Sequence, residues 1–100
     1  MAIKDVEKVK RKLWTFGYST KDVSSVPDLD YDLIINSKYR VKVISSKDQE
    51  LAEHIPRHIT VAFVDGKNIR YDFFRNGKNK IEKSPLKAFP KGRKLTNDKK

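Results

Sequence analysis

Cysteine is absent from the 100 residues, which excludes disulfides, thiolate metal sites and cysteine nucleophiles. Long apolar runs are absent as well, and nothing approaches the roughly 18 to 20 apolar residues that a membrane helix needs. The opening MAIKDVEKVKRK is charged where a secretory signal would have its apolar centre, so a cytoplasmic location is expected and a membrane partner is not. No phosphate-binding glycine loop, dinucleotide fingerprint or Ser-His-Asp grouping occurs. Glycine and proline number only four each, so the places they punctuate carry weight. Acidic residues are also in deficit, 13 against 23 Lys and Arg, for a net charge of +10.

That excess suits a polyanion whose counterions are released on binding. Nucleic acid is the expected partner, DNA ahead of RNA. A lysine-rich surface that serves only solubility is the plain alternative. With 37% hydrophobic and 36% charged residues, the chain can enclose one modest core. A single domain over residues 1–82 is expected, followed by a basic arm, 83–100, that is partly disordered.

Residues 3–16 place Ile3, Val6, Val9, Leu13 and Phe16 near one face at helical spacing, with Lys4, Lys8, Arg11 and Lys12 opposite. Gly17 suits a left-handed helix end, and YSTKDV reads as a short strand running back. YDLII and YRVKVI, residues 31–35 and 39–44, read as two strands joined by the polar turn Asn36-Ser37-Lys38. In the return strand Tyr39, Val41 and Val43 share one face and Arg40, Lys42 and Ile44 the other.

Ser46 and Gln49 have capping-box spacing, so a helix of two turns at most is expected before Pro56. HITVAFV is a buried strand, Asp65-Gly66 a hairpin turn, NIRYDFF its return, and RNGK leads to a last strand near Ile81. Trp14, Phe63 and Phe73 are expected in the core. Beyond residue 77 stand nine basic residues and two acidic ones. Pro85, Pro90 and Gly92 favour an extended course there, pinned at its start by Leu86 and Phe89.

The order helix, short strand, two-stranded hairpin, short helix, strand, with GYSTKDV, DYDLII and YRVKVI in succession, resembles the core of the PD-(D/E)XK nuclease superfamily. Over roughly residues 3–74 this implies an α+β fold in which an N-terminal helix packs on a small mixed, mostly antiparallel sheet, the restriction-endonuclease-like core. The resemblance places Asp32 at the family's metal-binding Asp and Lys42 among its catalytic positions, with Mg or Mn as the cofactor of an active member. An Asp and a Glu would hold the ion that activates water, and a Lys would position the nucleophile. Here either Ile44 stands for the Lys or Arg40 stands for the Glu, so the third strand supplies no carboxylate.

The expected reading is a small basic nucleic-acid-binding protein on a nuclease-like scaffold, catalytically inactive and without a cofactor. Its phosphate contacts would be Lys38, Arg40, Lys42, Arg70, Arg75, Lys91, Arg93 and Lys94. Asp32 is then a carboxylate paired with Arg40 or Lys42 across the hairpin. An active nuclease needs a migrated acid, for which Glu7, Glu50, Glu53 and Asp72 are available. A third reading is a protein-interaction or inhibitory module with an acidic protein partner. His54 and His58 are separated by Pro56, which denies them a shared helical face for zinc. The oligomeric state is open, a homodimer included, and a basic β-barrel is the alternative fold.

Overall fold

A computed structural model of the chain describes residues 3–90. Helix α1, Ile3–Thr15, turns Val6, Val9 and Leu13 into the core, the stripe that period 3.6 requires. Its end is closed by Gly17 at φ 83, a left-handed conformation that glycine adopts without steric cost. The N–H groups of Phe16 and Tyr18 both donate to the Leu13 carbonyl, satisfying a helix-end acceptor.

Six strands follow: β1 Thr20–Asp22, β2 Leu33–Ile35, β3 Tyr39–Ser45, β4 Thr60–Asp65, β5 Asn68–Arg75 and β6 Lys78–Glu82. They form one sheet in chain order. Every neighbouring pair is antiparallel except β3 and β4. A parallel pair needs a crossover, supplied by the 3-10 helix Ser46–His54. The class is therefore the expected one, α+β with an N-terminal helix on a mixed, mostly antiparallel sheet.

One sheet face carries Leu33, Ile35, Val41, Val43, Tyr71 and Phe73 into the main core beneath α1. The other buries Ile44, Val61 and Phe63 against Ala52 and Ile55 of the crossover. Strand alternation accounts for both sets. The crossover differs from the regular helix expected: Ser45 rather than Ser46 is the cap, and Asp48 at φ −113, ψ 33 kinks it. None of its residues is fully buried, so packing does not force α-helical winding on it.

The turn after β2 holds Asn36 and Ser37 both at positive φ. Asn36 steadies it by exchanging backbone and side-chain hydrogen bonds with Ser19. At the β5–β6 turn, Asn76 and Gly77 have φ 55 and 77, the pairing that two-residue hairpins favour.

Helix α2, Pro85–Ala88, is capped by the Ser84 hydroxyl. After it Phe89 has no exposed surface, and its ring lies 5.2 Å from Tyr71, 5.3 Å from Tyr39 and 6.1 Å from Tyr18 by centroids. The Tyr18 hydroxyl donates to the Pro85 and Phe89 carbonyls, and the Tyr39 hydroxyl to that of Pro90. Burying such a ring is worth about 1.5–3 kcal/mol. The segment expected to run extended with its start pinned to the core instead forms the short helix α2, packed against β5 and β6. Of the two expected pins Phe89 is buried, while Leu86 is exposed.

Phe63 and Phe73 are buried as expected, but Trp14 is 51% exposed. Position 14 lies next to the buried stripe rather than on it. The indole N–H donates to the Thr20 hydroxyl at 2.8 Å, and the Lys10 ammonium lies 5.7 Å from the ring centroid. Trp14 covers the α1–β1 junction from outside.

Candidate functional site

The β2–β3 register pairs Leu33 with Val41, which sets Asp32 opposite Lys42 one step beyond the end of β2. The Asp32 N–H donates to the Val41 carbonyl at 2.8 Å. Its carboxylate Oδ2 accepts the Val43 N–H at 3.0 Å and stands 3.6 Å from the Lys42 ammonium. The side chain of Asp32 therefore continues the hydrogen bonding of β3 where the backbone of β2 has ended. Of the two cross-strand cations available, Lys42 is the one that pairs with it.

A cleft of about 660 Å³ opens beside this pair. It is walled by Asp5 at the start of α1, Ser24 after β1, Ser45 at the end of β3, and Asp48 and Leu51 of the crossover. Asp5 and Asp48 are carboxylates that the sequence reading does not select. No short motif in the sequence marks either of them.

The acids expected as migrated ligands lie elsewhere. Glu7 bonds Lys10 at 2.9 Å, and Lys10 also reaches Asp22 at 3.2 Å. Hydrogen bonds from the Ser24 hydroxyl and N–H, aided by Lys10, hold the Asp22 carboxyl below its ordinary range. The Glu7 hydrogen bond, outweighing desolvation, raises the Lys10 ammonium, with Asp22 adding to it. Asp72 bonds Asn79 at 3.0 Å and lines a second cleft together with Glu53. Glu50 is exposed.

Among the described residues no three His, Asp or Glu side chains form a group able to hold a metal ion. Asp32 Oδ2 already accepts the Val43 N–H and pairs with the Lys42 ammonium. A cation at that distance competes with a divalent ion for the carboxylate, so the residues around Asp32 do not fit the Mg or Mn that the resemblance implies. His54 and His58 are both exposed.

The cations divide by face. Lys21, Ile34 and Arg40 are register partners across β1, β2 and β3, on the same face as Lys42. The crossover packs over β3 and β4, leaving Lys21 and Arg40 exposed. The Arg40 guanidinium lies 5.6 Å from the Tyr31 ring centroid, and the Lys38 ammonium 5.1 Å from that of Tyr39. Arg70 lies 5.5 Å from the Phe63 centroid on the same face.

Arg75 is committed to the fold on the opposite face. It donates to the carbonyls of Lys87 and Ala88 and lies over the Phe73 ring. Lys91, Arg93 and Lys94 fall outside the described residues. No described helix is long and apolar enough to cross a membrane. Comparison with family models, with curated proteins and with solved structures returns no match.

Proposed function

We propose that the protein binds nucleic acid through the uncovered face of its β1–β3 meander, on a nuclease-like scaffold whose catalytic position holds an ion pair. The observation that carries this reading is the alignment of Lys21 and Arg40 across three strands, with Lys38 at the adjoining turn. Such a row gives phosphate contacts that position a duplex or strand without reading its bases. The order of α1, β1, the β2–β3 hairpin, a short crossover and β4 supports the scaffold part of this reading, and Asp32 there accepts the Val43 N–H.

Fluorescence anisotropy on duplex and single-stranded DNA and RNA across a salt series tests the proposal. The expected affinity falls log-linearly with salt, and Lys38→Ala with Arg40→Ala lowers the slope by about 1.5 to 2 units. Binding indifferent to salt removes the proposal. Cleavage with magnesium or manganese that Asp32→Ala abolishes would establish the nuclease instead. A protein partner captured after nuclease treatment, with no binding to free nucleic acid, would establish the interaction module.

A further inference from the structure

The second cleft, about 210 Å³, lies between the end of the crossover and the β5–β6 hairpin. Its walls include Glu53, Arg57, Asp72, Phe74 and Asn79. We propose that it receives one unpaired guanine base of a single-stranded nucleic acid. This rests on the nucleic-acid reading above and names the ligand class for a different part of the same sheet face.

Three features carry it. First, Phe74 is 37% exposed, whereas its strand neighbours Tyr71 and Phe73 are buried. The Arg57 guanidinium lies 5.1 Å from its ring centroid. A guanidinium resting on an aromatic ring extends a stacking surface on which a base can lie.

Second, Asp72 and Asn79 present a fixed pattern of acceptors and donors. Asp72 Oδ1 accepts one Asn79 amide hydrogen at 3.0 Å, while Oδ2 has no hydrogen bond among the described residues. An ionised carboxylate only accepts, and a primary amide has a second N–H to give. Guanine offers the complement on one edge: N1–H and N2–H for the carboxylate, and O6 for the amide. Adenine, cytosine and thymine each place a ring or carbonyl acceptor against the carboxylate, which repels it.

Third, the charges sort the base from its phosphate. Within the cleft Glu53 and Asp72 outnumber Arg57, so a phosphate is disfavoured there while donor groups are welcome. Arg70, on the same face of β5 as Asp72 and Phe74, stands outside it where the backbone of an entering strand would pass. A duplex hides the guanine edge in pairing, so the ligand is single-stranded.

The test uses the full chain and a labelled oligothymidine carrying one central guanine, hypoxanthine or adenine. The expected order is guanine tightest, hypoxanthine weaker by several-fold through loss of the N2 amine, and adenine weaker by about tenfold. Asp72→Asn should erase the preference among the three oligonucleotides. Phe74→Ala should weaken every strand by about tenfold. Circular dichroism checks that both variants fold. Equal affinity for the three oligonucleotides, or a preference that survives Asp72→Asn, overturns the guanine site while the broader reading stands. If no nucleic acid binds even at low salt, both fall. Asp72-dependent binding of an arginine amide without any base preference would reassign the cleft to a protein partner.

Discussion

The Arg75 guanidinium donates to the Ala88 carbonyl across 2.8 Å, tying the end of β5 to the last helical turn. The same side chain lies 4.5 Å from the Phe73 ring centroid. A cation engaged in this way holds structure together before it meets a phosphate. Arg75→Ala is expected to cost about 1–3 kcal/mol, the range for hydrogen bonds from a charged donor. Urea unfolding should show it, while the salt slope of nucleic-acid binding stays at the wild-type value.

Phe89→Ala removes a ring enclosed by three tyrosines, and a loss of about 3–5 kcal/mol is expected. Leu86→Ala, at an exposed position of the preceding helix α2, should stay within about 0.5 kcal/mol. Equal losses for the two would mean that Phe89 does not occupy the core.

At the strand end, Asp32→Ala leaves the Val43 N–H without its acceptor, at a cost of about 1–3 kcal/mol. Lys42→Ala removes only a partly exposed charge pair and should cost under about 1 kcal/mol. Asp32 thus matters to the fold independently of any reaction, and denaturant midpoints for the two variants decide it.

Tyr71 is wholly buried, and its hydroxyl has no hydrogen-bond partner among the described residues. Tyr71→Phe is therefore expected to be neutral or to stabilise by about 1 kcal/mol, because it deletes an unsatisfied polar group. Burial, and then the neighbouring Tyr18, push the Tyr71 phenol above its ordinary range. The folded protein therefore keeps protons that the unfolded chain releases as pH rises past the ordinary phenol value near 10. Stability is lost in that direction, and Tyr71→Phe should soften the alkaline decline.

The Glu7–Lys10–Asp22 group gives the acid limb the opposite sign. Asp22 titrates below its usual value in the folded state, so its contribution is present above the ordinary carboxylate range near 4. It disappears as pH falls through the lower folded value. Asp22→Asn should flatten stability against pH below 4, read as the shift in thermal midpoint between pH 5 and pH 2.5.

The sequence exposed its fold unevenly, for physical reasons. Val6, Val9 and Leu13 define α1 because one face of a helix needs only local spacing, and Val41 and Val43 define β3 in the same way. The turns at Asp65-Gly66 and Asn76-Gly77 were legible from backbone chemistry. Trp14 was not, since a residue beside the buried stripe and one on it differ by a rotation that a count of apolar residues does not resolve. Phe89 sits among Lys and Pro in a segment without periodicity, and its burial depends on Tyr18, Tyr39 and Tyr71 far away in the chain. The Asp32–Lys42 pairing was legible because a hairpin makes it local. Asp5 and Asp48 join Asp32 through the packing of α1 and the crossover, which no short motif encodes.

The joining of Tyr18 to Phe89 across 71 positions also bears on truncation. The ring at the centre of the three tyrosines arrives from the last part of the described chain, after all six strands. A contact so distant in sequence joins the two ends of the described chain and adds to its loop-closure entropy. A chain cut after Glu82 is therefore expected to leave Tyr18, Tyr39 and Tyr71 around an open gap.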